Sequence, residues 1–383
     1  MLVTMTDPEP IRRIGLENVV VADTELSHID GEKPELLYRG VDAQELAEKS
    51  SYEETAYLLW NGGFPTRDEL DSFRGELDDR RSLSHGVAEI VEHAPEDAVP
   101  MDVLRSAVSA TSVYGDGDGT TRDRSLSVLA KAPTALAAFG RARDGYEAVE
   151  PREDLDTAAN FLYMLNGEEP DERHAEILDT ALLLHADHGL NASTFTGRVI
   201  ASTESDVVSA VTGAIGALKG PLHGGANQDV MEMLLDIEDS QKDVSSYLAG
   251  MLEDGERVPG FGHRVYEAFD PRAEVFKKIA KEVSEKTDGP DWFSMLEEVE
   301  AFLREEKRIH EKGISPNVDL YSGTVYYSLG VPVDFFVPMF AIGRSVGWTA
   351  QVQEQYDDNR LVRPRAEYVG ERGVEYVPID ERE

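Results

Sequence analysis

The 383-residue chain contains no cysteine, which excludes disulfides, thiolate chemistry and cysteine-ligated zinc. Basic residues are scarce: 37 Lys and Arg stand against 75 Asp and Glu, a formal net charge of −38. A field of that sign repels phosphate, so nucleic acid and anionic membrane are excluded as partners. Acidic excess can mark a disordered chain, but 41% hydrophobic residues arranged in regular stripes predict a folded core. The expected result is a solvated acidic surface adapted to high salt, where self-repulsion is screened. Long apolar runs are missing too. The longest, residues 331–342, is interrupted by Pro332, Asp334 and Pro338 and falls short of the roughly 20 residues of a membrane span. The first ten residues show no charged segment followed by an apolar run, so no secretory signal is expected and the protein reads as soluble and cytoplasmic. No internal repeat is visible. Strand signals are few: residues 18–38 form one short extended segment with a turn at Asp30-Gly31-Glu32-Lys33-Pro34, and the tail over 367–377 has extended character.

Helical patterning is what the chain has in abundance, with enough residues for two domains or one large domain carrying an inserted lobe. Ser51 is placed to cap a helix over 52–60, and Thr66-Arg67-Asp68-Glu69 is a capping box. Apolar stripes predict further helices over 101–113, 125–139, 157–165 and 175–184, then 273–285 and 292–310, with a last long helix over 333–356. Pro271 after Asp270 marks a helix start. Asp116-Gly117-Asp118-Gly119 lacks the remaining ligand positions of a calcium loop and reads as an acidic surface loop. His185 and His188, three apart, have metal-ligand spacing, with Asp187 or His223 as a third donor. The glycine and asparagine that follow instead mark a helix C-terminus, and no metal site is predicted.

The stretch Gly220-Pro221-Leu222-His223-Gly224-Gly225-Ala226-Asn227-Gln228 separates two helical patterns near the middle. His223 stands just before a helix N-terminus, whose partial positive charge disfavours imidazolium and leaves a neutral hydrogen-bond donor. The two glycines after it permit close approach of a ligand to the backbone. The alternative is a glycine-rich cap with an incidental histidine. A second loop, Val258-Pro259-Gly260-Phe261-Gly262-His263, has the first two glycines of a dinucleotide fingerprint but not the third. A third carries Pro316-Asn317-Val318-Asp319. Two histidines beside glycines, an aspartate and arginines just after helix ends suit carbon-acid chemistry on a dicarboxylate: a carboxylate base, neutral donors for a developing negative oxygen, and guanidinium clamps.

Segments 220–228, 260–272, 316–322 and 360–368 resemble the signature blocks of the citrate synthase family, in the same order and at similar spacing, and the likeness extends over 52–65, 160–193 and 342–355. This resemblance implies an all-α, two-domain dimer: a large helical domain from 1–223, a small closing domain from 224–330, and a return to the large domain with a C-terminal arm over 331–383. It implies condensation of acetyl-CoA with oxaloacetate and water to give citrate and CoA, with no metal or redox cofactor. It assigns Asp319 as the base, His223 as donor to the thioester oxygen, and His263 as the group that polarises the ketone. His188, Arg272 and Arg344 match the dicarboxylate ligands, with Arg363 reaching across the homodimer interface. The last helix, apolar on more than one face through Trp348 and Val352, is a natural two-fold contact. The same residues serve 2-methylcitrate synthase, which takes propionyl-CoA. A citrate-cleaving lyase or a non-catalytic helical scaffold are remoter readings. Two positions depart from the family pattern: Glu267, where relatives often carry a basic residue near the CoA phosphates, and Gln351, where they usually carry histidine.

Overall fold

The computed structural model describes residues 13–16, 19–115, 119–240, 242–262, 266, 269–286, 289–305 and 315–382. His263 and Glu267 lie outside the described residues, as do 116–118 of the acidic loop and 306–310 of the predicted 292–310 helix.

Sixteen α-helices and one small sheet make up the described chain. The turn near Asp30 joins β1 (Ser27–Asp30) to β2 (Glu35–Tyr38), antiparallel with Ser27 opposite Tyr38, and a two-residue β3 (Val41–Asp42) completes the sheet. The first helices are α1 (Ala43–Lys49), α2 (Tyr52–Asn61), α3 (Arg67–Asp78), α4 (His85–Glu92), α5 (Pro100–Thr111) and α6 (Thr121–Arg143). Ser51 caps α2 through Glu54 N–H, and Thr66 and Glu69 form the reciprocal capping box of α3. Then come α7 (Thr157–Asn166), α8 (Glu172–His185), α9 (Ala192–Ala201) and α10 (Val207–Leu218). After His223 the chain forms α11 (Ala226–Ser240), α12 (Val244–Glu253), α13 (Pro271–Ser284), α14 (Trp292–Glu305) and α15 (Val318–Ser328). A 3₁₀ turn over Val333–Phe335 then leads into α16 (Phe336–Asp357). Short helices such as α1, α4 and α9 were not expected, because seven to ten residues carry too little periodicity to stand out.

Helix α16 is the axis of the molecule: it touches α2, α5, α6, α8, α9, α10 and α11. It is buried along nearly its whole length, as an all-round apolar helix must be. Trp348 and Val352 are each 1% exposed within the single chain. Their apolar face is therefore spent on the chain's own core, and the two-fold contact expected of them is corrected. The helices after His223 pack on one another, α15 against α11, α13 and α14, while α13 also reaches α1 and α8. Gly323 allows the closest of these approaches, since a Cβ there would lie 2.6 Å from the carbonyl oxygen of Asn227. Beyond α16 every residue from 363 to 382 is exposed, and the 367–377 segment forms no strand: its backbone is irregular.

Candidate active site

His223 follows a tight turn in which its N–H donates to Gly220 O at 2.9 Å. Its Nε2 lies 3.1 Å from the backbone N of Ser193 and 2.9 Å from Ser193 Oγ. A backbone N–H can only donate, so Nε2 accepts and the ring proton sits on Nδ1. That N–H is one of the free donors in the first turn of α9, which Asn191 caps. Burial first, and then the charge of Arg344, lower the His223 pKa to about 4. The imidazole is thus neutral, as expected, but the helix start that meets it is that of α9. The glycines after it also divide in role. A Cβ at Gly224 would lie 2.4 Å from Leu218 O, so packing alone demands that glycine, whereas Gly225 has φ +113° and open space around it. Ser193 was not anticipated. Its hydroxyl donates to Asn191 Oδ1 at 2.7 Å and accepts from Trp348 Nε1 at 3.2 Å; the only sequence signal was the capping pattern Asn191-Ala192-Ser193.

Asp319 occupies the first turn of α15 behind its N-cap Asn317, whose Oδ1 accepts the Asp319 N–H at 2.9 Å. Asn317 also joins two loops: its N–H donates to Gly260 O at 3.0 Å and its Nδ2 to Gly262 O at 2.9 Å, beside the Phe261–Pro316 bridge. Gly260, at φ +81°, must be glycine, because a Cβ would press within 3.0 Å of Leu320 Cα. The loop that leads to position 263 is therefore fastened to the start of the helix that carries Asp319. Burial raises the Asp319 pKa to about 6; Arg272 opposes that shift, while Asp270 and Asp229 add to it. Its carboxylate has no hydrogen-bond partner among the described residues.

Arg272 and Arg344 are both buried. Arg272 stands in the first turn of α13 and is forked by the N-cap Asp270, Nε to Oδ1 at 3.0 Å and Nη2 to Oδ2 at 2.7 Å. Arg344, from the middle of α16, donates from Nε to His185 O at 2.5 Å and lies over the Phe340 ring. Burial lowers its pKa to about 10, with Asp187 opposing and Arg272 reinforcing the shift. Among the described residues Arg272 Nη1 and Arg344 Nη2 are buried without a hydrogen-bond partner. His188 is buried, its Nε2 3.3 Å from Tyr266 Oη. His185 ends α8, as expected, stacked on Phe276 and tilted against Phe340, with both ring nitrogens buried and without a partner among the described residues. Burial, then Arg272 and Arg344, hold it neutral.

Arg272 acts electrostatically on Asp319, Arg344 on His223, and both on His185, so residues from α8, α13, α15, α16 and the 220–225 turn converge on one buried interior. Arg363 does not join them: it is exposed on the segment after α16. A separate cavity of about 790 Å³, lined by Arg39, Trp60, Arg198, Glu354 and their neighbours, contains none of the predicted site residues.

The family model for the citrate synthase C-terminal domain matches residues 15–365. The citrate synthase of Haloferax volcanii is 50% identical over 377 residues, covering 96% of this chain and 98% of that protein. 2-Methylcitrate synthase 2 of Corynebacterium glutamicum is 41% identical, covering 97% of this chain and 98% of its own. The structure of the ternary complex of carboxymethyl coenzyme A and oxaloacetate with citrate synthase from Thermoplasma acidophilum superposes with a TM-score of 0.90 at 33% identity, covering 96% of this chain and 98% of that one. With a matching model over most of its length and relatives of this similarity over nearly all of it, the chain belongs to the citrate synthase family.

Proposed function

We propose that this enzyme condenses acetyl-CoA with oxaloacetate and water, releasing citrate and CoA. The observation that carries the reading is a pair of buried guanidinium nitrogens, Arg272 Nη1 and Arg344 Nη2, that have no partner among the described residues. Unpaired buried donors are costly, and a dicarboxylate supplies what they lack. Asp319 takes a proton from the acetyl methyl group, and His223 Nδ1–H donates to the thioester oxygen as it gains enolate charge. The new carbon–carbon bond forms between that methyl carbon and the ketone carbon of oxaloacetate. His263 protonates the resulting alkoxide, and water then hydrolyses the thioester. A carboxylate is a weak base for a methyl group even at a pKa of about 6, so most of the rate must come from stabilising the enolate in a dry site. His188, Arg272 and Arg344 hold oxaloacetate, with Arg363 supplied by the second subunit of a homodimer. No metal or redox cofactor enters, because enolisation and carbon–carbon bond formation here need only proton transfer and hydrogen-bond donors.

Closure of a small domain, 224–330, over the large one completes the site in this reading, since Asp319 and Arg272 belong to the former and His188, His223 and Arg344 to the latter. The acidic surface fits a salt-rich cytoplasm. The test is release of CoA thiol from acetyl-CoA that depends on oxaloacetate; its absence overturns the reading. The similarity to a 2-methylcitrate synthase makes propionyl-CoA the second substrate to assay. One methylene is worth only about 1–3 kcal/mol in a pocket, and a higher kcat/KM for propionyl-CoA would transfer the assignment.

A further inference from the structure

One face of α16 holds the turn that carries His188. Arg344 Nε donates to His185 O at 2.5 Å, and Gly347 N–H donates to Ala186 O at 2.9 Å. Gln351 Nε2 donates to Asp187 Oδ2 at 3.2 Å. Residues 344, 347 and 351 are three and four apart, so they lie in line along the helix. Ser27 of β1 also holds the turn, its Oγ donating to the same Asp187 Oδ2 at 2.5 Å and accepting the Gly189 N–H at 3.1 Å. Asp187 and Gln351 are both 0% exposed. The orientation of the amide follows from chemistry: Arg198 Nη1 lies 2.7 Å from Gln351 Oε1, and a guanidinium has only donors to offer, so the NH₂ end must face Asp187. In a dry interior that guanidinium also polarises the amide and strengthens its bond to the carboxylate.

We propose that Gln351, acting through Asp187 together with Ser27, is a positioning residue for oxaloacetate: it fixes His188 at a set distance from Arg344 and keeps the Asp187 carboxylate where it serves as counter-charge to that arginine. The proposal rests on the preceding functional reading. It also accounts for the departure at this position, because histidine and glutamine can make the same two bonds, accepting from Arg198 at one nitrogen or oxygen and donating to Asp187 from the other.

The experiment compares Gln351→Met, which keeps length but removes both bonds, with Gln351→His and with Ser27→Ala, which removes the other donor from a different element. Steady-state kinetics for both substrates and calorimetric titration with oxaloacetate alone are measured in high KCl. Loss of a hydrogen bond to a buried charge predicts that Gln351→Met raises KM and Kd for oxaloacetate about tenfold, with kcat and KM for acetyl-CoA within about twofold. Ser27→Ala shifts the same parameter in the same direction, and Gln351→His returns it to within about threefold of the parent. Parent-like affinity in Gln351→Met overturns the proposal, as does an equal rise in both KM values or failure of histidine to restore binding. Should Gln351→Met not fold, an unchanged oxaloacetate KM in Ser27→Ala overturns it alone. Failure of the functional reading looks different: the parent itself then neither binds oxaloacetate nor releases CoA.

Discussion

Gly347 and Ala186 meet backbone to backbone: the N–H of one lies 2.9 Å from the carbonyl oxygen of the other, and a Cβ at Gly347 would stand 2.2 Å from that oxygen and 2.6 Å from Asp187 Oδ1. Gly343, one turn earlier, approaches Leu182 O in the same way, its Cβ position 2.8 Å away. Helix α16 can therefore lie on the end of α8 only where it has no side chain. Both contacts are backbone, so little can yield, and overpacking of this kind costs about 1–3 kcal/mol. Gly347→Ala is expected to lower the thermal midpoint and weaken oxaloacetate binding together. A parent-like melting curve in differential scanning calorimetry would show that the two helices part without cost.

Asp319 gives the pH dependence. Its carboxyl is raised to about 6 by burial while His223 is lowered to about 4, so both are in the form the reaction needs only above pH 6. For the unliganded enzyme, log kcat/KM for acetyl-CoA should climb with unit slope between about pH 4 and about pH 6 and level off above. A single inflection near 4, with full activity at pH 5, would remove Asp319 from the base role.

The same shift has a stability consequence of defined sign. A carboxyl whose folded pKa is raised binds more protons in the folded than in the unfolded state, so stability falls as pH rises through the window from the ordinary value of 3.8 to about 6. Asp319→Asn should therefore melt higher than the parent at pH 8, by a margin that closes toward pH 4, while turnover drops by about 10² to 10⁴. An asparagine variant that is both inactive and less stable at pH 8 would mean that Asp319 is held by interactions other than those described.

Much of the fold was legible because its helices are long and punctuated. Ser51, the Thr66–Glu69 box and Asp270-Pro271 each mark a true start, since caps are local chemistry. The contacts that set the state of the candidate site residues were not legible in the sequence. His223 is neutral because it is buried near Arg344, a residue far along the chain, and Gly224 is small because Leu218 O fills the space beside it. Neither partner is implied by spacing along the chain. Trp348 and Val352 show the opposite failure: an apolar residue reads the same whether it faces its own core or a neighbour's.

Charge predicts a response to salt. At −38 the folded chain repels itself, and the Debye length falls from about 10 Å at 0.1 M to about 3 Å at 1 M. The thermal midpoint should rise steadily from 0.1 M to molar KCl, scaling with ionic strength rather than with the identity of a monovalent cation. A midpoint that is flat or falling over that range would contradict adaptation of this surface to salt.

Arg363 is the residue that the single chain leaves unexplained. It is exposed, two residues beyond Leu361, which is 59% exposed, on a segment whose later apolar side chains Tyr368, Val369, Val374 and Tyr376 also face outward. The 22-residue helix before it spans about 33 Å at 1.5 Å per residue, and Arg344 sits near its middle, so Arg363 starts well away from Arg344 of its own chain. An arm that exposes this much apolar surface calls for a partner, and a second copy of the chain brings the same arm to the first by symmetry. The expectation is that Arg363 completes the neighbour's site. Two inactive parents, Asp319→Asn and Arg363→Ala, are co-refolded and the mixed dimer isolated by distinct affinity tags. In a trans arrangement one site of the mixed dimer collects both lesions and the other is intact, so activity returns to about half that of the parent dimer, far above either mutant alone. If Arg363 serves its own chain, each site keeps one lesion. A verified mixed dimer as inactive as its two parents would then end the trans assignment.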